Sequence, residues 1–260
     1  MESLWIAKTG LDAQQTRMSV VSNNLANVNT TGFKRGRAVF EDLLYQNQAQ
    51  AGAATSQDTL DPTGMSIGTG VRVVATEKNF EQGNHVQTGN TFDVLIEGRG
   101  FFQIQLPDGN LAYTRDGAFK VDADGRLVTS IGYEVQPAVS VPNGTESVTI
   151  ARDGTIQAKL NGQPDPVSIG SMQIADFINP VGLQPRGQNL YVETAASGTP
   201  TLGTPGLDGL GDLVQGALEG SNVNVVEEMV SMIETQRAYE MNSKAISTSD
   251  QMLAYLNNNL

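Results

Sequence analysis

Apolar residues near the start of the chain fall seven apart at Leu4, Leu11, Met18 and Leu25, with Ala7, Gln14, Val21 and Val28 in the intervening positions. This three–four alternation draws one stripe along an α-helix, and Gln14 is its polar member. Ser3 stands where an N-cap is expected. The same period returns at the other end in Val225, Met232, Tyr239, Ile246, Leu253 and Leu260, widened by Met229 and Leu256. Asn224, with Glu227 three residues on, resembles a capping box, and neither Pro nor Gly interrupts 225–260. A lone amphipathic helix has nowhere to bury its stripe. Two such helices at opposite ends predict an α-helical coiled-coil layer. Two ways of completing it stay open: a closed hairpin within the chain, or seams finished by neighbouring copies. Gln14, Ser243 and Asp250, on or beside the seams, favour the second.

Between the ends the period changes to two. The runs 101–106 (FFQIQL), 112–114, 118–121, 126–129, 147–151, 155–160 and 171–177 read as strands. Asp-Gly pairs at 108–109, 116–117, 124–125 and 153–154 predict hairpin turns among them. The expected fold class is α+β: long terminal helices over 1–37 and 221–260, an extended connecting segment over 38–74, and an inserted antiparallel β domain over 75–220. Two loop-rich stretches join the layers. One is 46–66, rich in Gln, Ala, Gly, Ser and Thr, and the other is 197–212.

Charge sharpens this division. Residues 1–37 hold five basic side chains against two acidic ones, and 221–260 hold two against five. An antiparallel pairing would bring Lys34, Arg35 and Arg37 toward Glu227 and Glu228. The net charge of −12 argues against nucleic acid as a partner. The absence of cysteine excludes disulfides, thiol catalysis and cysteine–zinc sites. The first residues lack the basic and apolar regions of a signal peptide, and no apolar run reaches bilayer length, so neither a cleaved leader nor membrane insertion is expected.

Candidate chemistry is thin. The run Val121-Asp122-Ala123-Asp124-Gly125 fails the calcium-loop spacing, because Gly125 comes fourth and Glu134 thirteenth. Asp116 with Asp122 or Asp124 could form a glycosidase pair, yet acidic turns are the simpler reading. The stretch 98–102 (GRGFF) precedes a strand and lacks the third glycine of a dinucleotide fingerprint. His85 is the single histidine. No nucleophile, base and oxyanion hole assemble, so no catalytic residue, metal site or cofactor is expected.

Three stretches together carry a resemblance. Residues 20–35 (VVSNNLANVNTTGFKR), 221–253 (beginning SNVNVVEEMVSMIETQRAYEMN) and 92–128 (beginning FDVLIEGRGFFQIQLPDG) are similar to the N-terminal, C-terminal and central signatures of the bacterial flagellar axial proteins, which include rod and hook subunits. Length and the segment 40–72 most resemble the distal rod members. The resemblance implies a structural subunit rather than an enzyme. It would self-assemble into a rigid hollow helical tube of the basal body, spanning periplasm to outer membrane, that transmits torque and conducts subunits exported by the flagellar type III apparatus. Implied partners are further copies, proximal rod subunits, hook subunits, and the encircling peptidoglycan-ring and outer-membrane-ring proteins. A proximal rod or hook subunit is the alternative within the family, and a secreted β-domain glycan hydrolase the alternative outside it. On this reading the seam residues are Leu4, Leu11, Met18, Val21, Leu25, Val28, Val225, Met229, Met232, Tyr239, Ile246 and Leu253. Asn23, Asn24 and Asn27 would fix register through their amides. Gly32 would end the first helix and Phe33 anchor the turn. The segment within 40–72 would act as a wedge between neighbouring subunits.

Overall fold

The computed structural model describes residues 2–49, 63–162 and 165–258. Leu260 and the centre of the proposed wedge, 50–62, lie outside them. The fold is α+β: two long helices, one at each end, and many short antiparallel strands between. The chain divides into two compact units, one made of Met1–Ala26, Gly36–Glu77 and Asn224–Leu260, the other of Asn27–Arg35 and Lys78–Val223.

In the first unit α1 (Glu2–Ala26) and α2 (Val225–Asn258) lie antiparallel. Asn24 bonds Glu228, Arg17 reaches Glu234 at 3.9 Å, and Gly10 lies against Asn242, so one helix is read forward as the other is read back. Asn224 caps α2, through Val226 rather than through the backbone of Glu227 as a capping box would. The Asn224 side-chain oxygen accepts from the Val226 N–H at 3.0 Å, and its amide donates to Glu227 at 3.4 Å. Two carboxylates, Glu227 and Glu228, sit in the first turn, where the helix dipole favours negative charge. The strand Gly36–Asp42 pairs with Val71–Lys78, laced by the exposed ion pairs Arg37–Glu77 and Arg72–Glu41, each at 2.9 Å. Thr9 of α1 accepts the Val71 N–H at 3.4 Å. Beyond the first strand, Tyr45–Ala49 pairs with Met65–Gly68.

The second unit is organised by a nine-stranded sheet. Its main path runs Gln184–Gly187, Leu190–Val192, Leu111–Thr114, Phe101–Gln105, Glu134–Gln136, Leu127–Thr129 and Phe119–Val121; Ile174–Asp176 also pairs with Phe101–Gln105 and carries Thr201–Gly203. Period-two alternation splits Phe101–Gln105 between two cores. Phe102 and Ile104 enter the larger one with Phe119, Leu127 and Val135, joined by Val148, Ile150 and Ile156 from a three-stranded sheet. Phe101 faces the other way, into an edge-to-face cluster with Phe80, Phe177 and Tyr191.

Three of the four Asp-Gly pairs turn hairpins, with Gly109, Gly125 and Gly154 at φ of 81°, 82° and 83°. Asp116-Gly117 does not. Its flanking strands pair with other neighbours, and Gly117 lacks a side chain for a different reason: a Cβ there would collide with the Val94 carbonyl. The first helix also stops at Ala26, not Gly32. From there Asn27 holds a turn, its backbone carbonyl accepting the Thr30 N–H and its side chain accepting the Thr30 hydroxyl, both at 3.2 Å. Side-chain amides that bond local backbone outcompete helical continuation. Val28 is therefore off the helix.

Candidate assembly surface

The face that α2 turns toward α1 is not its apolar stripe. Glu228 and Thr235 are 1% and 0% exposed, and Asn242 and Ser249, half-buried, continue the same seven-residue row. Thr235 satisfies its hydroxyl on the Ser231 carbonyl at 2.6 Å. On α1 the buried positions are Ala13, Val21 and Asn24. Small and polar groups let the helices approach closely: a Cβ on Gly10 would stand 3.0 Å from the Asn242 amide. Asn24 organises one end of this seam. Its amide donates to the Gly36 carbonyl at 2.8 Å and to Glu228 at 3.2 Å, and its oxygen accepts the Gly36 N–H at 2.8 Å. One side chain thus pins the returning chain and the second helix to the first. Burying such groups is tolerated because they are hydrogen-bonded.

The consequence is an apolar surface on α2. Val226 and Met241 are 69% and 70% exposed, and Met229, Val230, Ile233 and Met252 are each about half exposed or more. The predicted seam residues divide accordingly. Val21 is buried; Leu4, Leu11, Met18, Leu25, Met232 and Ile246 are half-buried; Val225, Met229, Tyr239 and Leu253 are exposed. Asn23 is exposed and Asn27 half-buried in its turn.

In the second unit, the turn segment ends in a buried ionic cluster around Glu219, 1% exposed at its side chain. Its carboxylate accepts from the Lys34 ammonium at 2.6 Å, the Gly83 N–H at 2.9 Å and Arg115 at 3.4 Å, and its backbone carbonyl accepts the Gly32 N–H at 2.8 Å. Gly32, at φ 67°, lies so close to the backbone of residues 115 and 116 that a Cβ would come within 2.7 Å of the Asp116 nitrogen. Phe33 is buried beneath the Lys78 ammonium, 4.2 Å from its ring centre. Thr31 donates to Asp116 at 3.0 Å. Burial lowers the Lys34 pKa, against the opposing pull of Glu219. Burial first, then the charge of Glu219, pushes the Tyr191 phenol up to about 12. Sequence reading placed Lys34 near the second helix and missed Glu219 altogether. The available signal was a lone acid inside the short strand Ala217–Glu219. Arg37 pairs with Glu77 instead.

Of the acids considered for catalysis, Asp122 and Asp124 are exposed turn residues that share Arg126, at 3.5 and 3.0 Å, and Asp116 is half-buried and accepts from Thr31 and the Ala118 N–H. Among the described residues no cluster could hold a metal ion, and no helix is long and apolar enough to cross a membrane.

Residues 4–34 match the flagella basal body rod protein family, 95–158 the flagellar hook protein FlgE/F/G D1 domain, and 214–259 the flagellar basal body rod FlgEFG protein C-terminal family. The chain is 58% identical over 254 residues to the flagellar basal-body rod protein FlgG of Buchnera aphidicola subsp. Schizaphis graminum, covering 98% of each. It is 50% identical over 260 residues to that of Borreliella burgdorferi, covering 99% of this chain and 98% of the relative. Against the Bacillus subtilis protein of that name it is 37% identical over 264 residues, with the same coverage. A chain that aligns with these relatives over nearly the whole of its length and theirs belongs to the flagellar basal-body rod protein family, as a structural subunit of the distal rod and not an enzyme.

Proposed function

We propose that copies of this chain polymerise through the apolar face of α2 into the distal rod, a rigid hollow shaft. One observation carries this reading: α2 packs on α1 around a polar row and leaves Val226, Met229, Val230, Ile233 and Met241 on the surface. Exposed contiguous apolar surface marks an interaction site. The occupant is a second copy, because a rod grows by heterologous contacts in which one face of each subunit meets a different face of the next. The terminal regions 1–37 and 221–260 then form the inner wall as a coiled-coil layer, and the β domain 75–220 faces outward. Leu4, Leu11, Met18, Leu25, Met232, Tyr239, Ile246 and Leu253 complete their burial there. Asn24 sets register within each subunit, and Asn23 and Asn27 contribute between subunits.

The same reading supplies the partners: proximal rod subunits at one end, hook subunits at the other, and peptidoglycan-ring and outer-membrane-ring proteins around the shaft. It places the subunit between periplasm and outer membrane, reached by flagellar type III export. The shaft carries torque from motor to hook and lets later subunits pass along its bore. The ribbon leading into 50–62 wedges between neighbours and stiffens the lattice.

The test is Met229→Lys with Ile233→Lys. Both side chains are exposed in the subunit, so the soluble protein should keep its fold and melting temperature, while rods fail to form in electron micrographs. Full-length rods from this variant would refute the reading.

A further inference from the structure

The chain crosses between its two units after residues 26, 35, 77 and 223. Three of those crossings leave the second unit from one hydrogen-bonded knot. The Arg35 N–H donates to the Asn222 side chain at 2.7 Å, and the Asn222 amide donates to the carbonyls of Asn79 and Glu81 at 2.9 and 3.1 Å. The Asn79 N–H returns to the Arg35 carbonyl at 2.8 Å, and the Lys78 ammonium caps the Lys34 carbonyl at 3.0 Å. Lys34 itself bonds the Glu81 carbonyl at 2.7 Å as well as Glu219. Arg35, Lys78 and Asn222 each stand within two residues of a crossing. Glu219 lies behind them and ties the segments at 32–34, 83 and 115 into the same unit.

Chain passages between compact units are ordinarily loose, polar and solvated. These are cross-tied by short bonds, several of them charge-assisted, with those from Lys34 and Arg115 to the Glu219 carboxylate buried. A buried ionic cluster is a poor way to gain stability, since apolar residues of similar volume often do as well or better. Its distinguishing property is directional: each bond fixes one passage against another.

We infer that this buried polar clasp, centred on Glu219 and Asn222, is a mechanical joint that holds the chain passages at fixed positions on the β unit, so that force entering along them is shared rather than lost in swivelling linkers. The inference rests on the proposed shaft, and it adds a role for residues outside the apolar face of α2.

Two variants of the full chain test it. Lys34→Met/Arg115→Met/Glu219→Leu replaces the ionic cluster with apolar bulk. Asn222→Ala cuts the outer ties, leaves the cluster intact, and carries the test should the triple variant fail to fold. In the soluble protein, native-state hydrogen exchange should accelerate at least tenfold for the Arg35 amide in Asn222→Ala, and for the Gly32 and Gly83 amides in the triple variant. Rods should still assemble, and their bending persistence length should fall at least twofold. Unchanged exchange would overturn the clasp itself. Faster exchange with unaltered rod stiffness would overturn its mechanical role. Failure of the parent chain to form any rod would instead overturn the assembly reading, and the mechanical role with it.

Discussion

In the sheet of the β unit, Phe102 and Ile104 are wholly buried, and the polar Gln105 and Lys120 are exposed. On α2 the order is reversed: Glu228 and Thr235 are wholly buried, and Met229, Ile233 and Met241 face outward. The β unit closes two apolar cores within one chain, although single side chains such as Ile178 and Leu207 remain exposed. The helical end spends its interior on hydrogen bonds and close approach, and keeps its apolar surface for something else. One sequence thus holds a region whose larger apolar side chains mostly enter closed cores and a helix on which most of them stay exposed.

The largest effect should come from alanine truncations made on the two sides of this contrast. Phe102→Ala opens a cavity in the closed core and should cost roughly 3–5 kcal/mol of β-unit stability by denaturant unfolding. Ile233→Ala should change the stability of the soluble chain by no more than about 0.5 kcal/mol, yet slow rod formation severely. If Ile233→Ala destabilised the soluble chain as much as Phe102→Ala, the helical face would already be covered and the contrast would collapse.

A middle-sized effect probes the polar interior of the helix pair. Asn24→Leu retains bulk but strands the Gly36 backbone groups and removes a donor from buried Glu228. The expected cost is roughly 2–3 kcal/mol, read as earlier loss of helical circular dichroism. An unchanged or raised melting temperature would show that the seam prefers apolar packing after all.

How much of this was readable in advance follows the same contrast. Both helices were legible, because heptad spacing and the Asn224 cap are local signals. So were the strands between residues 101 and 129 and between 145 and 160, since alternation and Asp-Gly turns are also local; those at 36–42, 71–78, 134–136 and 184–192 were not. Asp116-Gly117 misled because Asp-Gly marks a tight backbone and not only a hairpin; here the tightness serves an approach to Val94. The face chosen by α2 was not legible. Two rows with the same seven-residue period, Val225-Met232-Tyr239-Ile246 and Glu228-Thr235-Asn242-Ser249, run side by side along one helix, and hydrophobicity alone centres the buried face on the first, whereas full burial falls on Glu228 and Thr235 of the second. The Glu219 cluster was hidden for another reason: Lys34, Gly83, Arg115 and Glu219 are far apart in sequence, and nothing local announces a shared partner.

The smallest effect belongs to the closed unit's titration. The Tyr191 phenol has a folded pKa of about 12, above its ordinary 10.0. A raised folded pKa gives a contribution fully present below pH 10 and lost as pH climbs toward 12. Tyr191→Phe should therefore remove the last tyrosinate absorbance step in an alkaline titration and flatten the stability decline over that window. A Tyr191 that ionised with the exposed tyrosines would show its cluster to be open to water.

The apolar face of α2 can be watched directly, because the chain has no cysteine of its own. In an Ile233→Cys variant a maleimide should label the thiol readily in the soluble protein and be excluded from it in assembled rods. An Ala123→Cys variant, in an exposed turn of the β unit, reports whether reagent reaches the rods. Loss of labelling on assembly at 233 is the result this account predicts; equal labelling of 233 in free protein and in rods would contradict it.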